Sequence, residues 1–309
     1  MAKKRLLVLG RSHMELTLPT PRLPEPGQTL LSDGPYGFTG GGKGLISAIC
    51  AARMDTDCVF CSRVGQDVYG SRLRALLENN GINLRSFLVD KTRPTSLKVR
   101  LVYGEQAGSV VYPGASLVLS DDDIEEAFVS YPDVLLLCGD MSLDIMKTAV
   151  SFAADDDVPT VLDVPMRAPQ LPLHDLGRLR VAVLGEEQIA SYTRLRPDSL
   201  NEYVHAAIQL SGQINADYFV FNLPRRGIYV TDGKYSEILA PIPGESVDTT
   251  AAAETFVTTL ACEMARHNKI KTAAAVAQAA QALCAAKTGS YTSIPDRAAV
   301  EEFLQRLGA

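Results

Sequence analysis

Asp248-Thr249-Thr250-Ala251-Ala252-Ala253-Glu254-Thr255-Phe256 is the stretch on which the reading of this chain turns. It follows a turn-like Pro241-Ile242-Pro243-Gly244 and opens an Ala-rich run that continues to about Lys287. Small residues stand where a helix begins. The first N–H groups of a helix have no intrahelical partner, and the helix dipole adds partial positive charge there, so such a start can hold an anion. Glu254 places a carboxylate in the first turn. Taken alone, the stretch also reads as an ordinary capped helix start, with Asp248 or a threonine as the cap and Glu254 as the first-turn acid. The rest of the chain favours the anion site.

The 309 residues suffice for one large α/β domain or two ordinary ones. A hydrophobic fraction of 46% and a charged fraction of 21% are those of a soluble globular protein. The net charge of −6 argues against a nucleic-acid binder, which needs a basic face for phosphates. No apolar run approaches membrane-spanning length. The start Met1-Ala2-Lys3-Lys4-Arg5 is basic, but Leu6–Leu9 is too short for a signal-peptide core, so a cytoplasmic protein is expected. Six cysteines fit that compartment as free buried thiols. Cys58 and Cys61 have C-x-x-C spacing, but they sit in an apparent buried strand and have no second pair of zinc-ribbon spacing. His13, His174, His205 and His267 make no metal-ligand pattern, and no nucleophile elbow supports Ser-His-Asp hydrolysis.

From the N-terminus, Arg5–Gly10 reads as a buried strand, with Arg11–Glu15 at its C-terminal end, the edge where open α/β sheets gather ligands. Pro19–Pro26 is a proline-rich loop, and Gly27–Phe38 a turn followed by irregular strand. Gly40-Gly41-Gly42-Lys43-Gly44 then precedes a helical pattern over Leu45–Met54. Glycines let backbone approach a ligand closely, and a lysine in the run adds a polar contact. The run is not a P-loop, because Gly44 stands where a magnesium-binding Ser or Thr is required. Strands follow at Cys58–Val64, Val134–Cys138, Thr160–Val164, Arg180–Leu184, Tyr218–Asn222 and Ile228–Thr231. Helices are predicted over Ser71–Asn80 and Leu143–Ala154, and a hairpin over Thr95–Val111 around Gly104-Glu105. Asp121–Asp123 and Asp155–Asp157 read as solvated helix ends rather than metal sites. Strand and helix in alternation predict a mostly parallel sheet with helices on both faces.

With these stretches in place the chain resembles the ribokinase-like (PfkB) family of carbohydrate kinases. Gly41-Gly42-Lys43-Gly44 resembles the first family signature, and Val64-Gly65-Gln66-Asp67-Val68-Tyr69-Gly70 the family's V-G-x-D-x-x-G. Tyr112–Ala115 resembles a common family turn, Val247–Phe256 the second signature, D-T-x-G-A-G-D-x-F, and Tyr291–Pro295 the closing loop. The resemblance implies a three-layer α/β/α fold with a small β-sheet lid from about 14–39 and 95–111. Two lids often clasp into a homodimer in such proteins. It implies transfer of the ATP γ-phosphoryl group to a sugar or nucleoside hydroxyl with Mg2+ bridging the phosphates, and leaves open whether K+ binds near Asp248 and Gly289. By the same resemblance, Glu254 matches the catalytic base, and Ala252 and Ala253 the N–H groups that hold the phosphoryl charge. Substrate contacts fall on His13, Glu15, Gly41, Gly42, Lys43, Asp140 and Asp248. Nucleotide contacts fall on Gly185, Asn222, Arg225 and Gly227, and metal contacts on Glu186 and Gln188.

The departures from the family pattern fall on the chemistry. Glu254 replaces an aspartate, with a similar pKa but one methylene more reach; displacing a positioned group by about 1 Å can cost on the order of a hundredfold. Ala253 replaces a glycine, which matters if that position needs φ > 0. The family's N-x-x-E becomes Gly185-Glu186-Glu187-Gln188, and its T-L-G-x-x-G becomes Asn222-Leu223-Pro224-Arg225-Arg226-Gly227. Pro224 removes an N–H there, while Arg225 and Arg226 add positive charge. The early N-x-D becomes His13-Met14-Glu15, and the polar residue after G-G-K-G becomes Ile46, which makes ribose itself a poor expectation. Two readings follow: an active sugar or nucleoside kinase using Glu254, or a pseudokinase that binds a small molecule or partner through the same cleft.

Overall fold

The computed structural model describes residues 3–166 and 171–308. Met1 and Ala2 of the basic start lie outside them. In chain order the strands are β1 (Arg5–Leu9), β2 (His13–Pro19), β3 (Gly37–Gly41), β4 (Asp57–Gly65), β5 (Phe87–Asp90), β6 (Leu97–Tyr103), β7 (Gln106–Tyr112), β8 (Val134–Cys138), β9 (Thr160–Asp163), β10 (Leu179–Gly185), β11 (Ala216–Leu223), β12 (Gly227–Thr231) and β13 (Ser236–Leu239). The α-helices are α1 (Lys43–Arg53), α2 (Val68–Asn79), α3 (Asp121–Phe128), α4 (Leu143–Asp155), α5 (Glu186–Thr193), α6 (Leu200–Ser211), α7 (Ala252–Ala265), α8 (Ile270–Ala285) and α9 (Arg297–Leu307).

Nine strands form one sheet in the order β13-β12-β11-β10-β9-β8-β1-β4-β5. Pairing is parallel from β11 to β5, and antiparallel only for β12 and β13 at one edge. The apolar runs read as strands are buried on both faces, as parallel sheets require. Alternate residues serve opposite layers: Leu6, Val8, Val134, Leu136 and Cys138 pack with α1, α7 and α8, while Leu7, Leu9, Leu135 and Leu137 pack with α3, α4 and α6. Cys58 and Cys61 fall on opposite faces by the same alternation, and all six cysteines are free and buried. Burial pushes the Cys61 thiol up to about 12.

The Ala-rich run is not one helix. α7 ends at Ala265, His267 takes φ 62, and the chain reverses into α8. The reversal is held from inside: the buried Glu263 carboxylate accepts from Arg266, Arg297 and Asn268. Arg266 meets Glu263 at helical i, i+3 spacing, while Asn268, past the helix end, turns back to donate to the same carboxylate (2.6 Å).

A second sheet, in the order β3-β2-β6-β7, is built from the two segments that flank α1 and α2. β2 and β6 are parallel, and the outer pairs antiparallel. Gly27–Phe38 contributes little regular structure; the strand there is Gly37–Gly41. Asp67 ties the base of this sheet to the main one. Its carboxylate caps α2 through the Gly70 N–H (2.8 Å) and accepts from the Thr95 N–H and hydroxyl (2.7 Å each). Burial alone would raise this carboxyl, but the bonds from Thr95 and Gly70 prevail and hold it below its ordinary value. Asp67→Ala is therefore expected to cost about 3 kcal/mol, three hydrogen bonds to a charged acceptor including a cap. A depressed carboxyl contributes stability above its unfolded pKa, and loses it as pH falls through the lower folded value. Urea melts at pH 7 and pH 3 check this: the gap between wild type and variant should narrow in acid.

Candidate active site

The strands β1, β8, β9, β10 and β11 end at one edge of the main sheet. The register sets Cys138 beside Asp163 and Gly185 beside Asn222. β1 has β4 on one side and β8 on the other, so the connections part at β1, the place where open α/β sheets bind ligands. Glycines bring the elements together here. Gly42 stands at φ 103, and a Cβ on it would lie 2.5 Å from the Arg11 carbonyl oxygen. A Cβ on Gly44 would lie 2.6 Å from the Gly10 carbonyl carbon. The signature glycines thus let α1 start against the end of β1, which aims Lys43 across the sheet edge.

Lys43 forms an ion pair with Asp163, a short Nζ–Oδ2 contact. Desolvation opposes its charge, but Asp163, Glu254 and Asp140 together push its pKa well above the ordinary lysine value. The same four groups shape one another. Burial raises the Glu254 carboxyl against the pull of Lys43, with Asp163 and Asp140 adding to the rise. Burial likewise raises Asp140, with Lys43 and Arg11 opposing. A carboxyl raised above its ordinary value by burial is a stronger base once ionised, which suits proton abstraction.

α7 starts at Ala252 with Ala251 as N-cap and no side-chain cap. The capped-start reading therefore fails: Asp248 turns away from α7. Its Oδ1 accepts from the Thr250 N–H and hydroxyl, and its Oδ2 accepts from the Gly289 N–H (3.0 Å). Burial raises the Asp248 carboxyl, and these bonds bring it below its usual value. No side chain closes the start of α7; the Ala252 N–H donates to the Thr249 carbonyl (3.1 Å), a turn bond that an anion at the helix start would compete with. Ala253 has no positive φ, so its methyl carries no backbone strain.

On the second sheet, His13 and Glu15 flank Gly41. His13 Nε2 lies 3.6 Å from Glu15 Oε2, and Lys98 Nζ lies 3.0 Å from the same oxygen. The nearby His13 ring, followed by Lys98, lowers the Glu15 carboxyl to about 2 against the cost of burial.

Gly185, Asn222 and Gly227 meet at the ends of β10, β11 and β12. Gly185 N–H donates to the Gln188 side-chain oxygen (3.1 Å), and Glu187 is paired with Arg196. Glu186 makes no ion pair among the described residues. Gly227 stands at φ 100, and a Cβ there would strike the Leu239 carbonyl oxygen at 1.9 Å, so it serves the β12–β13 pairing. Arg225 is exposed on the β11–β12 turn.

Sequence reasoning missed two residues of the site, Asp163 and Lys98. Asp163 ends a strand whose C-terminal end was already the ligand edge, and that rule alone would have found it. Lys98 depends on the parallel register of β6 against β2, which no local pattern shows.

The description "pfkB family carbohydrate kinase" matches residues 3–297. A ribokinase of Bacillus subtilis is 27% identical over 318 residues, covering 97% of this chain and 99% of that protein. The structure of Arabidopsis thaliana ribokinase complexed with ribose and ATP superposes with a TM-score of 0.87 at 23% identity, covering 99% of both chains. A putative ribokinase II from E. coli in complex with ATP and Mg2+ gives 0.78 at 18% identity, covering 98% of this chain and 99% of that one. The fold and the sheet-edge site define an α/β protein of the ribokinase-like kind. The chain belongs to the pfkB family of carbohydrate kinases. Among the described residues no helix is long and apolar enough to cross a membrane.

Two features bear on ATP and Mg2+. The buried Asn222 Oδ1 has no hydrogen-bond partner among the described residues, so it can accept from a ligand amino or hydroxyl group. Among the described residues no group of three His, Cys, Asp or Glu side chains is placed to hold a metal. Glu186, exposed at the start of α5 and in no ion pair among the described residues, is a carboxylate that could face Mg2+ held mainly through phosphates.

Proposed function

We propose that the protein is an ATP-dependent kinase of a sugar or sugar-like hydroxyl, with Glu254 as general base. The observation that carries this reading is the cluster Lys43–Asp163–Asp140–Glu254 beside an uncapped helix start. Glu254 takes the proton of the attacking hydroxyl. The N–H groups at Ala252 and Ala253 receive the charge that builds on the transferring group, where preorganised donors act most strongly. Lys43, Asp140, His13 and Glu15 orient the sugar, with Gly41 and Gly42 giving it close access to backbone. Gly185, Asn222, Arg225 and Gly227 form the nucleotide side. ATP bound there with Mg2+ supplies the phosphoryl group, and Glu186 is the carboxylate to face the metal, with Gln188 supporting the turn.

The second sheet acts as the lid over 14–39 and 95–111 of a single domain. Val110, 76% exposed, stands in register with Val99 on its outer face, which favours pairing with a second copy. The compartment proposed is the cytoplasm.

The test is a coupled assay of ADP release with ATP, Mg2+ and a panel of sugars, sugar derivatives and nucleosides. Turnover of at least one acceptor is expected. No turnover with intact ATP binding would instead favour the pseudokinase reading, for which the commitment of Gln188 to the Gly185 N–H is the specific support.

A further inference from the structure

We propose that the acceptor carries an anionic group, a carboxylate or a phosphate, held by Arg100 with Lys98 at its side. This deepens the kinase reading and rests on it for the location of the site. The parallel register sets Lys98 beside Glu15 and Arg100 beside Thr17. Residues i and i+2 of a strand share a face, so Lys98 and Arg100 project together from the face that carries Glu15. That face is the cleft side: His13 and Glu15 stand against Gly41, and the Arg100 charge reaches Asp248 before α7.

The charges of the cleft then divide. Glu15 is answered by His13 and Lys98, and Lys43 by Asp163. The Arg100 side chain makes no hydrogen bond, and no ion pair within 4 Å, among the described residues. Asp248 lies within its field, but both Asp248 oxygens are engaged by Thr250 and Gly289. The Arg100 guanidinium thus faces the cleft beside a second cation on the same face of the same strand. Like charges so placed repel, and partial desolvation in the cleft strengthens that repulsion. A neutral sugar leaves the repulsion uncompensated. An anion between the two relieves it, and a guanidinium offers the planar donor pair that carboxylate and phosphate oxygens accept.

The test compares D-gluconate and D-fructose 6-phosphate with D-ribose and D-fructose, by initial rates with ATP and Mg2+ and by calorimetric binding. An anionic probe is expected to lead the neutral ones by about 100-fold in kcat/KM, the strength of a charged hydrogen-bonded pair. Arg100→Leu should remove most of that lead through KM, leave KM for ATP unchanged, and recover partly in Arg100→Lys. Arg100→Gln serves if the leucine variant misfolds. The better of gluconate and fructose 6-phosphate tells carboxylate from phosphate. Equal or better use of a neutral sugar overturns the proposal and leaves the kinase reading standing. If nothing is turned over, tighter calorimetric binding of an anionic probe that Arg100→Leu abolishes upholds the proposal while the kinase reading fails. Binding with no preference for an anionic probe overturns it.

Discussion

Glu254→Gln is expected to lower kcat by about 10³-fold while leaving ATP binding within a few fold, the usual contribution of a general base. Glutamine keeps the shape and the hydrogen bonds of the side chain but cannot take a proton. A purely structural Glu254 would give a stability loss with a small kinetic effect, and that outcome would remove it from the base role. The pH profile gives an independent check. Burial, with Asp163 and Asp140, holds this carboxyl above the ordinary 4.5. The base works only when ionised, so kcat/KM should rise with pH along an acid limb centred above 4.5, and Glu254→Gln should flatten that limb. Glu254→Asp tests reach: the shorter side chain restores activity if the family's aspartate geometry is recoverable, and loses it if the extra methylene is matched by the Ala253 methyl at the helix start.

Lys43→Met should remove both activity and stability. The methionine fills a similar volume, but Asp163 loses its ion-pair partner, and Asp140 and Glu254 lose the charge that holds their pKa values down. Breaking a buried pair costs about 3–5 kcal/mol; Lys43 keeps some solvent contact, so about 2–3 kcal/mol is expected at pH 7. The sign of the pH dependence follows from the carboxyls. Without Lys43 their folded pKa values rise further, and a group with a raised folded pKa stabilises below its unfolded value and loses that contribution as pH rises. The melting-temperature deficit of the variant should therefore be larger at pH 8 than at pH 5. A deficit independent of pH would mean that Lys43 acts through packing of its stem alone. Lys43→Arg keeps the charge but not the compact ammonium, so it should recover stability more than activity.

Much of the fold was legible because its signals are local. Leu6–Leu9, Val134–Cys138 and Phe219–Asn222 are apolar runs that only a strand buried on both faces accommodates. Gly41-Gly42-Lys43-Gly44 and Asp248–Phe256 announced two helix starts, and both helices form there. The mostly parallel main sheet follows from strand and helix in alternation, and the smaller sheet is the lid that the family resemblance implied. What the sequence determined by itself was therefore the layer architecture, the ligand edge, and the residue types gathered at it.

Other features depended on partners far away in the chain. The Ala-rich run looked continuous because propensity is local, yet it breaks at His267 since Glu263 needs Arg266, Arg297 and Asn268 around it. Asp248 looked like a cap for α7, yet it binds Gly289, which arrives only when α8 folds back. Asp163 and Lys98 entered the site through strand register, and register is set by which faces the sheets bury. Tertiary structure alone decided which charges meet: Lys43 with Asp163, Glu15 with Lys98 and His13, and Arg100 within the field of Asp248 but in no ion pair within 4 Å among the described residues. Charge pairing acts through space over a few ångströms, whereas periodicity acts along the chain, so the sequence could supply the charged residues but not their pairing.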